Sequence, residues 1–171
     1  WSTWNTGGQF VDFYIQDSVA NNIVPVFTYY MMRQSNPGAT QAETAGNLAN
    51  MQNTATMTAY FNDVKLFFQR AGGFPANKVV LHVEPDLWGY MEQYATNDDA
   101  TTVTAKVAAT GMPEPAGLPH NVAGFSRACK VLRDTSAPNG ILAYPRPSCR
   151  TRTPPALPPP PHPHPAAPPP P

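Results

Sequence analysis

Apolar residues recur at helical spacing in residues 9–20, and this segment is predicted to be the first helix. Its apolar stripe consists of Phe10, Phe13 and Tyr14, joined by Val11 and Ile15. Residues 23–32 form a continuous run of β-branched and aromatic residues, which is typical of a strand buried on both faces. Residues 33–54 are polar and are predicted to be a long loop that contains a short helical turn.

The clearest helical pattern lies in residues 56–71 and ends at a pair of glycines. Its predicted buried face consists of Met57, Tyr60, Phe61, Val64, Phe67, Phe68 and Ala71. A second strand is predicted at residues 78–83. A short helix at 87–95 and a second long polar loop at 96–120 are predicted to follow it.

The third long helix is predicted at residues 121–135, with a stripe formed by Val122, Phe125, Cys129 and Leu132. A strand is predicted to follow at residues 141–144. Helices and strands that alternate in this order imply βαβ units and a parallel sheet. A complete (β/α) barrel takes about 250 residues. Residues 1–144 are therefore predicted to be an α/β domain, an incomplete (β/α) barrel with about three βα units.

Residues 145–171 differ in composition, because they hold 14 of the 22 prolines and three arginines but no acidic residue. Such a segment cannot bury an apolar core, and we expect a disordered, proline-rich tail. It is either a natural linker or the product of a reading-frame change in GC-rich DNA. Its abrupt start inside a predicted strand favours the second origin. His162 and His164 could bind a metal ion only weakly, so no metal site is predicted there.

The remaining residues, 1–144, carry eight Lys and Arg against eleven Asp and Glu, a net charge of −3. Without a basic cluster, binding to nucleic acid is not expected. No run reaches the roughly 20 apolar residues of a membrane span. The polar surface is built from Asn, Thr, Gln and Ser, which is common in secreted proteins, and a start at Trp1 fits a mature or fragmentary chain.

The sequence predicts neither a cofactor nor a metal centre. It contains no G-x-G-x-x-G or G-x-x-x-x-G-K-[ST] phosphate loop. Its two cysteines, Cys129 and Cys149, do not form a CxxC pair or a Cys/His metal-binding spacing. Cys129 is expected to be a buried free thiol, and a disulfide with Cys149 is the alternative.

The segment around the second predicted strand is the most informative for chemistry. Side chains alternate along a strand, so His82 and Glu84 are expected on the face opposite the helices. Glu84 ends the strand and Asp86 follows it, at the end where barrel enzymes hold their active sites. Buried acids are costly without partners, which favours a catalytic role. The structural alternative is that Asp86 caps the next helix.

Aromatic residues around this site indicate a carbohydrate ligand, because flat rings stack on the apolar faces of sugars. Trp1, Trp4 and Trp88 lie outside the predicted strands and are predicted to bind substrate. Tyr30 and His82 are predicted to contribute to the same cleft. For Tyr30, packing in the core is at least an equally good interpretation.

The order of these segments resembles the cellulases of glycoside hydrolase family six over residues 23–144. The most specific element is the tripeptide Glu84-Pro85-Asp86 at the end of an apolar strand. The parts that fit the family around it are the strand Val24–Met32, the loop Arg33–Thr54, the helix 56–71 and the stretch Glu92–Asp99. The resemblance implies a secreted barrel enzyme that hydrolyses β-glucan-like polysaccharides.

This chain departs from the family at its catalytic acid. The family carries an Arg-Asp-Cys stretch after the earlier strand, whereas this chain has Arg33-Gln34-Ser35, and Glu43 is the only acid in that loop. Glycoside hydrolysis needs one carboxyl to protonate the leaving oxygen and another to activate water or attack. Glu84 is predicted to be the acid and Asp86 to give positioning or electrostatic support. The alternative function is a noncatalytic carbohydrate-binding or structural fragment.

Overall fold

The computed structural model describes residues 6–145, in which helices and strands alternate. The helices are α1 (Gln9–Ala20), α2 (Glu43–Met51), α3 (Thr54–Ala71), α4 (Leu87–Glu92) and α5 (Val122–Ser136). The strands are β1 (Val26–Tyr29), β2 (Val79–Val83) and β3 (Gly140–Ala143). Trp1, Trp4 and residues 146–171, which are all but the first residue of the proline-rich tail, lie outside the described residues. None of the helices described is long and apolar enough to cross a bilayer.

The three strands form one parallel sheet in the order β1-β2-β3. In this register Phe27 lies beside Leu81, and Leu81 lies beside Leu142. The predicted α/β class with a parallel sheet is confirmed. Within residues 6–145 the sheet is open and does not close into a barrel.

Helices α3 and α5 pack on one face of the sheet and supply more of its buried core than the other helices do. Their predicted apolar stripes are confirmed: every stripe residue of both helices is buried. Aromatic side chains join the layers, because Phe27 of β1 packs edge-on against Phe67 of α3 with centroids 5.0 Å apart. Cys129 of α5 is fully buried in this core.

Helix α1 has the predicted bounds, but the predicted stripe is wrong in part. Val11, Ile15 and Ser18 are its buried residues, at the spacing of one helical face. Phe10 and Phe13 lie outside that face and are 51% and 55% exposed. Large aromatic residues dominated the sequence pattern, whereas the smaller aliphatic residues face the core.

The prediction that the first strand is buried on both faces is wrong. Phe27 and Tyr29 of β1 point toward the helices, whereas Val26 is 52% exposed on the other face. Ile141 of β3 is also exposed. The face opposite the helices is therefore open in the part of the chain that the structure describes.

The polar stretch 33–54 is a loop over residues 33–42, as predicted, but the nine-residue helix α2 takes the place of the predicted short helical turn. Asn50 of α2 is fully buried and holds the turn that precedes the helix. Its amide nitrogen donates to the carbonyls of Met32 and Ser35, each at 2.7 Å, and its Oδ1 accepts from the Gly38 amide at 2.6 Å. The buried amide thereby orders a segment that has little apolar content.

Candidate active site

Glu84 lies at the carboxyl end of β2 and is only 1% exposed. Its backbone amide donates to the Tyr29 carbonyl at 2.7 Å, which continues the pairing with β1. Its φ of 48° is in the left-handed region, where a residue with a Cβ is strained by about 1–2 kcal/mol. The strand thus ends at an uncommon backbone conformation that redirects the side chain.

This conformation corrects the expected orientation of Glu84. His82 lies half-buried beside exposed Thr28 on the open face, as expected. The Glu84 carboxyl instead lies among groups on the helix side: burial, and after it the Glu84 carboxyl, raises the pKa values of Tyr60 on α3 and Cys129 on α5. The alternation that holds along β2 therefore stops at Val83, and Glu84 and His82 do not share a cleft.

The Glu84 carboxyl is held by the backbone that follows β1. Its Oε1 accepts hydrogen bonds from the amides of Met31, at 2.8 Å, and Met32, at 3.0 Å. Its Oε2 and the Tyr60 hydroxyl are both buried, and neither has a hydrogen bond of good geometry among the described residues. Oε1 of the carboxyl therefore accepts two hydrogen bonds, whereas Oε2 has none of good geometry among the described residues.

Burial raises the pKa of Glu84 from 4.5 to about 7. The two backbone amides and the nearby Tyr60 hydroxyl act in the opposite direction, and the carboxylate of Asp86 adds to the increase. Glu84 is therefore largely protonated at mildly acidic pH. This property suits an acid catalyst, but the burial of the group does not.

Asp86, at the N-terminal boundary of α4, is exposed to solvent. Its side chain makes no capping hydrogen bond to that helix, so the capping interpretation is wrong. The carboxylate faces the Tyr30 phenol and contributes to the raised pKa of that phenol. Asp86 is therefore free to contact a ligand from the solvent.

Tyr30 links Asp86 to a second acid. Its hydroxyl donates a hydrogen bond to Oε1 of Glu43, in the first turn of α2, and this bond is the main cause of the raised Tyr30 pKa. The Tyr90 hydroxyl of α4 also interacts with Glu43, which raises the pKa of Tyr90. Two carboxyls and two phenols thus converge at the carboxyl edge of the sheet.

Trp88 is packed more tightly than a sugar platform requires. Its ring stacks on Phe125 with centroids 5.5 Å apart, meets Tyr144 edge-on, and its Nε1 donates to the Val83 carbonyl at 2.9 Å. The same ring lines a cavity of about 190 Å³ whose other walls include Met91 and two carboxylate residues, Glu92 and Asp98. A ligand could reach only part of the indole.

The structure brings Glu84, Asp86 and Tyr30 together and places His82 on another face. Glu43 and Tyr90 belong to the same edge, although the sequence did not identify them as site residues. The sequence feature that could have identified Glu43 is a helical pattern after it. Leu48 and Met51 are three residues apart in a segment without proline. A helix there brings its first turn back to the sheet.

Comparison with protein-family models, curated proteins and solved structures found no match for this chain. Within residues 6–145, no three His, Cys, Asp or Glu side chains are grouped so that they could hold a metal ion.

Proposed function

We propose that this protein is a secreted glycoside hydrolase that acts on a polysaccharide such as a β-glucan. The proposal includes the finer fold: the open parallel sheet is an incomplete (β/α) barrel, whose interior face, with Val26 and Ile141, is left uncovered by the described residues. Support comes from acids at the carboxyl ends of parallel strands, where barrel enzymes hold their active sites.

The convergence of Asp86 and Glu43 on the Tyr30 hydroxyl carries the proposal. The Tyr30 hydroxyl donates its one proton to Glu43, and Asp86 is a lesser cause of the raised Tyr30 pKa, so both acids lie near the same phenol. Glycosidases place their two catalytic carboxyls about 5–10 Å apart around the scissile bond. In this proposal Asp86 contacts the glycan directly, Glu43 is the second carboxyl, and the phenols of Tyr30 and Tyr90 orient them.

A second candidate function is noncatalytic carbohydrate binding. It is favoured by the burial of Glu84, which leaves the most strongly perturbed acid out of reach of a ligand. The cavity beside Trp88 combines an aromatic wall with the carboxylate residues Glu92 and Asp98, a combination that also suits a sugar. Turnover separates the two functions, because a binder retains the glycan without cleaving it.

The test measures release of reducing ends from soluble β-glucans and xylans by the full chain and by Asp86→Asn. General acid–base groups contribute about 10²–10⁴-fold to rate, so the variant should lose at least about 100-fold in turnover. Its affinity for the glycan, measured by affinity electrophoresis, should change little. Asp17→Asn is the matched control, because Asp17 is exposed on α1 away from the carboxyl edge.

Binding without turnover by the parent chain would replace the hydrolase with the carbohydrate-binding function. Equal turnover by the parent, Asp86→Asn and Asp17→Asn would show that Asp86, at the carboxyl edge of the sheet, takes no part in catalysis.

A further inference from the structure

The Glu84 carboxyl joins two chain segments that would otherwise only be neighbours. Its Oε1 accepts from two successive backbone amides, Met31 at 2.8 Å and Met32 at 3.0 Å. Tyr30 directly precedes these residues, and Asp86 lies two residues after Glu84. A single buried side chain therefore connects the backbone that carries the phenol with the backbone that carries the exposed carboxylate.

The same backbone is held from its other side by Asn50. The amide of Met32 donates to Glu84, and the carbonyl of Met32 accepts from Asn50 Nδ2 at 2.7 Å. Both side chains are essentially inaccessible to solvent. Buried polar networks of this kind fix one arrangement, because any other leaves polar groups without partners.

The hydrogen bonds of Glu84 also locate its proton. Oε1 uses its two lone pairs on the two amides, so a protonated carboxyl carries its hydrogen on Oε2. The titratable groups that face the carboxyl are Tyr29 of β1, Tyr60 of α3, Cys129 of α5 and Asp86. None of these four is a cation, and the neutral acid is the form that this surrounding favours.

We propose that Glu84 is a positioning residue: through the Met31 and Met32 amides it holds the Tyr30 phenol in place between Glu43 and Asp86. The carboxyl does not touch the glycan. The positive φ of Glu84 is what turns its side chain from the open face toward these amides. The catalytic purpose of positioning Tyr30 rests on the proposed function. The positioning itself is a property of the folded chain and is tested separately.

The structural part is tested by amide hydrogen exchange in the full chain. Glu84→Gln retains an oxygen acceptor and should leave the exchange of the Met31 and Met32 amides within about threefold of the parent. Glu84→Ala should speed both by about 10-fold or more, since both amides lose their hydrogen-bond acceptor. The amides of Leu81 in the central strand β2 and of Leu142 in β3 report any global destabilisation.

Glu114→Ala is the matched control, because it removes a partly buried glutamate that is paired with Lys65. It should leave the Met31 and Met32 amides unchanged relative to Leu81 and Leu142. Equal acceleration of all four amides in Glu84→Ala would overturn local positioning. Unchanged exchange at Met31 and Met32 would overturn it as well.

The kinetic part applies once the parent chain shows turnover. Glu84→Gln should retain kcat within about threefold, because the acceptor is preserved. Glu84→Ala should lower kcat at least about 10-fold with little change in KM, because a displaced phenol affects the reacting carboxylates more than glycan binding. If Glu84→Gln is as inactive as Asp86→Asn while its amides stay protected, Glu84 is a direct catalytic acid and the proposal is wrong.

If the parent shows no turnover, the proposed hydrolase function is wrong. The exchange experiment still tests whether Glu84 holds the Met31 and Met32 amides. The two failures are therefore distinguishable.

Discussion

At the scale of single residues, Glu84 shows how backbone conformation decides the role of a side chain. The sequence correctly brought Glu84 and Asp86 to one strand end, because apolar alternation locates the end of β2. It could not give their orientations. A φ of 48° at Glu84 turned its carboxyl into the buried layer and left Asp86 as the exposed acid. Glu84, predicted to be the catalytic acid, is therefore buried, whereas Asp86, predicted to support it, is exposed to solvent.

The raised pKa of Glu84 predicts a pH-dependent stability. Its value is 4.5 for an exposed carboxyl and about 7 in the folded chain, so the folded state favours the protonated form. The resulting stabilisation is complete below about pH 4.5 and is lost as the pH rises through about 7. At about 1.4 kcal/mol for each pH unit, the free energy of unfolding should fall by about 3 kcal/mol across this window.

Urea denaturation of the parent and of Glu84→Gln at pH 4.5, 6 and 8 measures this effect. The glutamine cannot ionise. The unfolding free energy of the parent should therefore fall by about 3 kcal/mol relative to that of Glu84→Gln between pH 4.5 and 8. Glu114→Gln serves as the opposite control, because the ion pair with Lys65 lowers the pKa of Glu114. A constant difference between parent and Glu84→Gln would contradict the raised pKa.

At the scale of elements, the sequence predicted the boundaries of helix α1 correctly and its buried face wrongly. Ile15 is fully buried, whereas Phe13 is 55% exposed, although Phe13 is the larger apolar residue. Ile15→Ala should therefore cost about 3 kcal/mol of unfolding free energy. Phe13→Ala should cost less than about 0.5 kcal/mol. Urea denaturation of both variants measures the two costs, and a larger cost for Phe13→Ala would restore the predicted aromatic face.

Helix α2 was predicted only as a short turn, because much of its buried face is polar. Two of its four buried residues are asparagines, Asn47 and Asn50, which the sequence pattern counts as polar. Such side chains are buried only where a specific backbone supplies their partners, and that backbone is known only from the fold. The stripes of α3 and α5 were predictable because nearly all their buried residues are apolar.

The network around Asn50 should make this residue important for stability. Asn50→Ala removes three hydrogen bonds and leaves the Met32 and Ser35 carbonyls and the Gly38 amide without that partner. The expected loss of unfolding free energy is about 3 kcal/mol.

Asn53→Ala is the matched comparison for Asn50→Ala, because Asn53 caps α3 by accepting from the Thr56 amide. Its expected cost is about 1 kcal/mol. Equal costs for the two variants in urea denaturation would show that Asn50 does not hold the turn.

At the scale of the whole molecule, the sheet has one covered face and one open face. The order of the elements predicted the parallel sheet, because alternating helices and strands allow few other arrangements. It did not predict which face would be covered. The helices α3 and α5 both pack on the face with Phe27 and Leu81, and β1 therefore buries only every second residue.

The open face predicts that its apolar residues contribute little to stability. Val26→Thr combined with Ile141→Thr should change the unfolding free energy by less than about 1 kcal/mol, because both side chains are substantially exposed. The same double variant should reduce binding of the hydrophobic dye ANS. A loss above about 2 kcal/mol would mean that another part of the protein covers this face in solution.

The proposed hydrolase is tested most directly by the rate at which the full chain releases reducing ends from a soluble β-glucan between pH 4 and 9. We expect turnover that falls above about pH 7, where Glu84 ionises beside Asp86, and an Asp86→Asn variant that is at least about 100-fold slower at every pH. A folded chain that releases no reducing ends at any pH, or an Asp86→Asn variant as fast as the parent, would contradict it.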